Sequence, residues 1–102
     1  MPTREQLEEL LAAEPDDVFL NFGLAMALAR EGEQEAALRR FARVTELDAD
    51  YAAAYYQRGR LLLELKRVDE ARQVLTAGVA AARRSGDAHA ETEMVDLLNL
   101  AC

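Results

Sequence analysis

A chain of 102 residues and 11.3 kDa with 51% hydrophobic side chains has the size of one domain and enough apolar mass to bury a core, which excludes a disordered tail. Twelve Lys and Arg against nineteen Asp and Glu leave a net charge of −7, which repels phosphate backbones and anionic lipid, so neither nucleic acid nor a membrane is an expected partner. The one cysteine, Cys102, excludes an intramolecular disulfide and a Cys-rich zinc site, and the start Met1-Pro2-Thr3-Arg4 leads into no apolar signal segment, so the expected location is cytoplasmic.

Abundant Ala, Leu, Glu and Arg with only two prolines favour helix throughout, and the apolar spacing predicts about six helices. Thr3-Arg4-Glu5-Gln6 fits a capping box and opens the first helix, on which Leu7, Leu10 and Leu11 fall on one stripe. Pro15-Asp16-Asp17 ends it, and Asp17 is placed to cap the second helix. That helix is apolar on two sides: Leu20, Leu24, Ala27 and Leu28 gather on one, Phe19, Phe22 and Met26 almost opposite, with Ala29 and Arg30 flanking them. Glu31-Gly32-Glu33 is the next break, with Gly32 suited to a left-handed closing residue. A third helix follows, ending at Asp48-Ala49-Asp50.

The fourth helix carries Tyr55, Tyr56, Gly59 and Leu62 and stops at Lys66-Arg67, a turn without glycine. The fifth contains Gly78 in its interior, where glycine costs about 1 kcal/mol relative to alanine, which predicts a close helix approach there. Ser85-Gly86-Asp87 repeats the pattern of a left-handed closure followed by an Asp cap. On the last helix Ala90, Met94, Leu97, Leu98 and Ala101 form a stripe that seals the preceding hairpin, while Glu93, Asp96 and Asn99 face water. The connections are short, so neighbouring helices are expected to run antiparallel.

Sliding the chain along itself by about 34 residues, the period of one known helical-repeat class, aligns Phe22 with Tyr56, Ala25 with Gly59, Leu28 with Leu62, Ala37 with Ala71 and Phe41 with Leu75. A helix-turn-helix unit of this period resembles the tetratricopeptide repeat. In residues 18–51, Leu24-Ala25 and Leu28 occupy the places of the family's Leu-Gly and Tyr, Ala37 and Phe41 those of its Ala and aromatic, and Ala49 that of its proline. In residues 52–85, Tyr55 takes the large aromatic place, Gly59 the small one and Leu62 the later bulky one, followed by Ala71 and Leu75; Asn21 stands at the family's Trp place and Arg58 at its first Leu. The resemblance implies an all-α fold, a right-handed superhelical stack of antiparallel hairpins. The chain then forms one domain: a half-repeat helix over 1–17, repeats over 18–51 and 52–85, and a capping helix over 86–102.

The residues offer little for catalysis. His89 is the one histidine, it shares a face with Glu93 at i, i+4, and two such ligands do not make a zinc or iron site. No phosphate-cradling Gly loop, Ser/His/Asp arrangement or calcium loop is visible, so the chain reads as non-catalytic, without cofactor or metal.

In the tetratricopeptide family the first helices of successive repeats line a concave groove that receives a peptide. By resemblance the groove residues are Phe19, Phe22, Met26 and Arg30 of the first repeat and Tyr56, Arg60 and Leu63 of the second, although Phe19 and Phe22 packed on the first helix is the competing placement. Aromatic, Met and Arg side chains are the types enriched at protein interfaces. Some members hold a chaperone's C-terminal carboxylate with Lys and Asn; Phe22 and Met26 stand at those places here, which implies a more apolar partner. The expected function is a protein-binding adaptor or scaffold, and the alternative is a homodimer formed through the same apolar face or the terminal helix.

Charge is uneven. Residues 1–17 hold one cation against six carboxylates, whereas residues 52–85 hold seven cations against three carboxylates. Arg58, Arg60, Lys66, Arg67, Arg72, Arg83 and Arg84 therefore either attract an acidic peptide or are spent on neighbouring carboxylates.

Overall fold

A computed structural model describes residues 2–101, and Cys102 lies outside them. The described residues form six α-helices and no strand: α1 (Arg4–Ala13), α2 (Val18–Arg30), α3 (Gln34–Leu47), α4 (Ala52–Glu64), α5 (Val68–Ser85) and α6 (Ala88–Leu100). The predicted all-α fold and its six segments are present. Contacts gather the chain into two compact units, α1 to α3 through Asp48 and α4 to α6 from Ala49 onward.

Local chemistry sets the helix starts. At α1 the Thr3 hydroxyl accepts from Gln6 N–H (3.2 Å) while Thr3 N–H donates to Gln6 Oε1 (2.8 Å), completing the capping box. Asp17 accepts from Leu20 N–H (2.8 Å) and Asp87 from Ala90 N–H (3.0 Å), so both predicted caps are made.

Three helix ends share one closure. After α2, Gly32 sits at φ +80°, with Gly32 N–H donating to Ala29 O and Glu33 N–H to Leu28 O. After α5, Gly86 sits at φ +72°, with Gly86 N–H donating to Arg83 O and Asp87 N–H to Ala82 O. After α4 the same pair of bonds runs from Lys66 to Leu63 O and from Arg67 to Leu62 O, with Lys66 at φ +63°. The turn lacking glycine therefore adopts the glycine geometry, and Lys66 bears its strain.

In the first unit α2 packs between α1 and α3. Leu7 and Leu11 of α1 close on Leu24 and Ala27, with Leu20 and Leu28 at the margin, which is the core side predicted for α2. Gly23 lets the Leu7 side chain approach: a Cβ there would lie 3.3 Å from Leu7 Cδ2. Leu10 departs from the expected stripe. It is half exposed, because the two-residue apolar seam of so short a helix is already filled by Leu7 and Leu11.

Asn21, at the position where the family resemblance places Trp, is fully buried yet satisfied. Its Nδ2 donates to Pro15 O (3.0 Å) and Asp17 O (2.8 Å), and its Oδ1 accepts from Arg40 (2.8 Å). Outside this core, Arg43 bridges Asp16 (2.9 Å) and Glu46 (3.3 Å), and Arg4 reaches Glu31 (3.0 Å). These carboxylates hold both guanidinium pKa values above their ordinary level, chiefly through the hydrogen bonds to Asp16 and Glu31.

In the second unit Leu75, Val79, Ala82 and Met94 form a core with Ala52, and Tyr55, Tyr56, Leu63, Leu97 and Leu98 pack around it. Met94 is fully buried and Ala101 nearly so, and Asp96 and Asn99 are exposed as expected of α6, whereas Glu93, expected to face water with them, is half-buried. Gly78 and Gly59 mark the two closest approaches. A Cβ at Gly78 would stand 2.6 Å from Tyr55 Cβ and collide with Met94 Sδ, and one at Gly59 would collide with the Leu75 side chain. Tyr55 donates its hydroxyl to Ala49 O (2.8 Å). It thereby holds the loop before α4 as Asn21 holds Pro15 before α2, at the corresponding place of the repeat.

Candidate functional site

The residues expected at a binding face fall on two helices, one in each unit. On α2, Phe19 is 75% exposed and Arg30 is exposed, while Phe22 and Met26 are half-buried. The Phe22 ring packs against Phe41 of α3 with centroids 5.8 Å apart and planes tilted by 59°, a favourable aromatic geometry. The partners of α1 are instead Leu20, Leu24, Ala27 and Leu28. Phe19 is the large apolar side chain that α2 leaves in solvent.

On α4, Tyr56 and Leu63 are half-buried against the core of the second unit, and Arg60 is exposed, bonding to neutral Gln57 Oε1 (2.9 Å). Arg60 and Leu63 share a cleft of about 570 Å³ whose other walls include Lys66, Arg72, Leu97 and Leu100. The contribution of α6 was not expected from sequence, because its apolar stripe reads as a seal; Leu100 lies off that stripe and is 77% exposed. Its isolated aliphatic side chain on a polar face is the signal that marks it.

The basic residues of the second repeat divide into two kinds. Arg67 pairs with Glu70 (2.8 Å), Arg83 with Glu91 (2.7 Å), and Arg84 with Asp50 (2.8 Å) and Ala49 O (3.2 Å), so these are spent on neighbours within their own unit. The hydrogen bond from Arg67 holds the Glu70 carboxyl below its ordinary pKa. Arg72 bridges Asp69 (3.2 Å) and Ala101 O (2.7 Å), tying the end of α6 to α5. Arg58 is half-buried with its Nε unpartnered. Lys66 makes no ion pair among the described residues.

His89 is exposed, its Nε2 lying 3.2 Å from a Glu93 carboxylate oxygen. Among the described residues no three His, Cys, Asp or Glu side chains converge as a metal site, and no helix is long and apolar enough to cross a membrane. Geometrically the chain offers apolar and cationic surface on paired helices.

A tetratricopeptide repeat family model matches residues 28–91. A TPR repeat-containing protein of Pseudomonas aeruginosa is 34% identical over 94 residues, covering 92% of this chain and 90% of that protein. The solution structure of a tetratricopeptide repeat domain protein from Salinibacter ruber superposes with a TM-score of 0.79 at 31% identity, over 85% of this chain and 88% of that one. The TPR2B domain of yeast Sti1, in a complex with pHsp70, shares the fold with a TM-score of 0.88 at 19% identity, over 96% of this chain and 78% of the other. By sequence match, repeat period and fold together, this chain belongs to the tetratricopeptide repeat family.

Proposed function

We propose that this protein is a non-catalytic adaptor of the cytoplasm that binds a segment of another protein, using the first helix of each repeat. On this reading residues 1–102 are one repeat domain, with repeats over 18–51 and 52–85 between a half-repeat helix over 1–17 and a capping helix over 86–102. Phe19, Phe22, Met26 and Arg30 on α2 carry the contact in the first unit, and Tyr56, Arg60 and Leu63 on α4 carry it in the second. The observation that carries the reading is Phe19, a large aromatic left 75% exposed on a helix whose core side is already filled by other residues. Such a side chain supplies apolar contact area, and Arg60 supplies charge selection. The complex formed by yeast Sti1 with pHsp70 supports the reading by analogy of fold.

Affinity capture from the source organism's lysate tests it, comparing the wild type with Phe19→Ser and with Tyr56→Ala. Loss of the same captured proteins from both variants is the expected result. Identical capture by all three proteins would reject the assignment of the binding face. Light scattering across a dilution series separates the homodimer: a dimer converted to monomer by Phe19→Ser would mean that this face meets its own copy.

A further inference from the structure

The cleft between α4, the start of α5 and the end of α6 combines aliphatic walls with a cationic rim in a chain whose net charge is −7. Leu63, Leu97 and Leu100 provide the walls, and Leu100 stands 77% exposed. Arg60, Lys66 and Arg72 provide the rim, against a single carboxylate, Glu64, among the described residues that line it. Arg72 is committed to Asp69 and Ala101 O, but Lys66 makes no ion pair among the described residues and Arg60 bonds to a neutral amide. The remaining cations of this repeat that meet carboxylates, Arg67, Arg83 and Arg84, do so within the unit; of the others, Arg60 and Lys66 stand together at the cleft, while Arg58 is half-buried outside its lining.

We infer that this cleft is a docking site for an acidic, aliphatic segment of a partner protein. A leucine-type side chain enters between Leu63 and Leu100, and the adjoining carboxylates meet Lys66 and Arg60. Charge complementarity selects the ligand: a basic segment meets the rim with like charge, and a wholly apolar one leaves the rim cations unpaired. The inference rests on the interaction-module reading and shares Arg60 and Leu63 with it, but Lys66 and Leu100 belong to the cleft alone, so variants at those two positions test it separately.

The test measures fluorescence anisotropy with a short fluorescein-labelled peptide of Glu and Leu, and with its counterpart carrying Lys for Glu. The acidic peptide is expected to bind, with affinity falling as salt rises. The Lys66→Glu and Leu100→Ser variants are each expected to lose about tenfold or more in affinity. Lys66→Gly separates binding from folding, since it relieves the left-handed backbone while deleting the charge: a melting temperature at or above wild type with weakened binding is expected. Equal binding of the Lys peptide, unchanged affinity in Lys66→Glu and Leu100→Ser, or no binding of the acidic peptide would each overturn the cleft. Those results would leave the reading of α2 and Tyr56 to the capture experiment.

Discussion

Lys66 shows how a single side chain can carry two demands. The turn after α4 requires a left-handed residue, and the equivalent turns after α2 and α5 use Gly32 and Gly86. A side chain at that geometry costs about 1–2 kcal/mol, while glycine raises the unfolded-state entropy by about 0.5–1 kcal/mol. The backbone gain wins by a margin of up to about 1.5 kcal/mol, so Lys66→Gly should raise the melting temperature by a few degrees in a thermal melt. A lower melting temperature would mean that the ammonium stabilises the turn.

Asn21 and Tyr55 show what the sequence could and could not convey at this scale. They fall at the same place of the repeat, one as a buried amide and one as a half-buried phenol, and both tie the loop before their helix to it. The period is legible because the position is constant. The bond is not, because Asn21 becomes acceptable in a core only when Arg40, nineteen residues away, supplies the partner for its oxygen.

Among the elements, α5 depends most on close approach. Gly78→Ala gains about 1 kcal/mol in helix propensity, but the new Cβ meets Tyr55 Cβ, an atom fixed to the α4 backbone, as well as Met94 Sδ. Overpacking of this kind costs about 1–3 kcal/mol, and Tyr55 is further pinned through its hydroxyl to Ala49 O. Gly78→Ala should therefore lower stability in urea unfolding, by up to about 2 kcal/mol on balance. A gain would show that α4 and α6 move apart freely.

The start of α5 adds a pH dependence. Glu70 has its folded-state pKa depressed by the Arg67 hydrogen bond, so its contribution is present above the unfolded carboxylate value and is lost as pH falls through the folded value. Melting temperatures followed into the acid range should fall less steeply in Glu70→Gln than in the wild type. Parallel curves would place no stabilisation in this exposed pair.

Most element boundaries were readable from caps, glycines and the proline break, whereas those at Asp48-Ala49-Asp50 and Lys66-Arg67, which have neither glycine nor proline, rested on the apolar spacing. Which apolar residues remain in solvent was less readable. Leu10 shares a predicted stripe with Leu7 and Leu11 yet stays half exposed, since burial depends on how much neighbouring helix surface reaches it. The sequence leaves Phe22 open between packing on α1 and facing the groove, and Phe41 of α3 engages its ring. The cleft at the end of α6 was invisible in the sequence because it joins residues from Arg60 to Leu100 through tertiary packing.

At the scale of the whole molecule, charge and function connect. The −7 of the chain comes from acidic end segments around a second repeat rich in cations, several of which the fold spends on its own carboxylates. The cations left over lie beside aliphatic surface, while α2 separately leaves Phe19 exposed. A chain of this kind acts by presenting surface on stable helices, and its activity resides in which faces are left uncovered.

The most direct test of that claim is hydrogen exchange of the protein with and without a partner isolated by the capture experiment. The account predicts slowed exchange over 18–30 and 52–64, the first helices of the two repeats, with α3 unchanged. Protection confined to α3, with α2 and α4 exchanging as in the free protein, would contradict it.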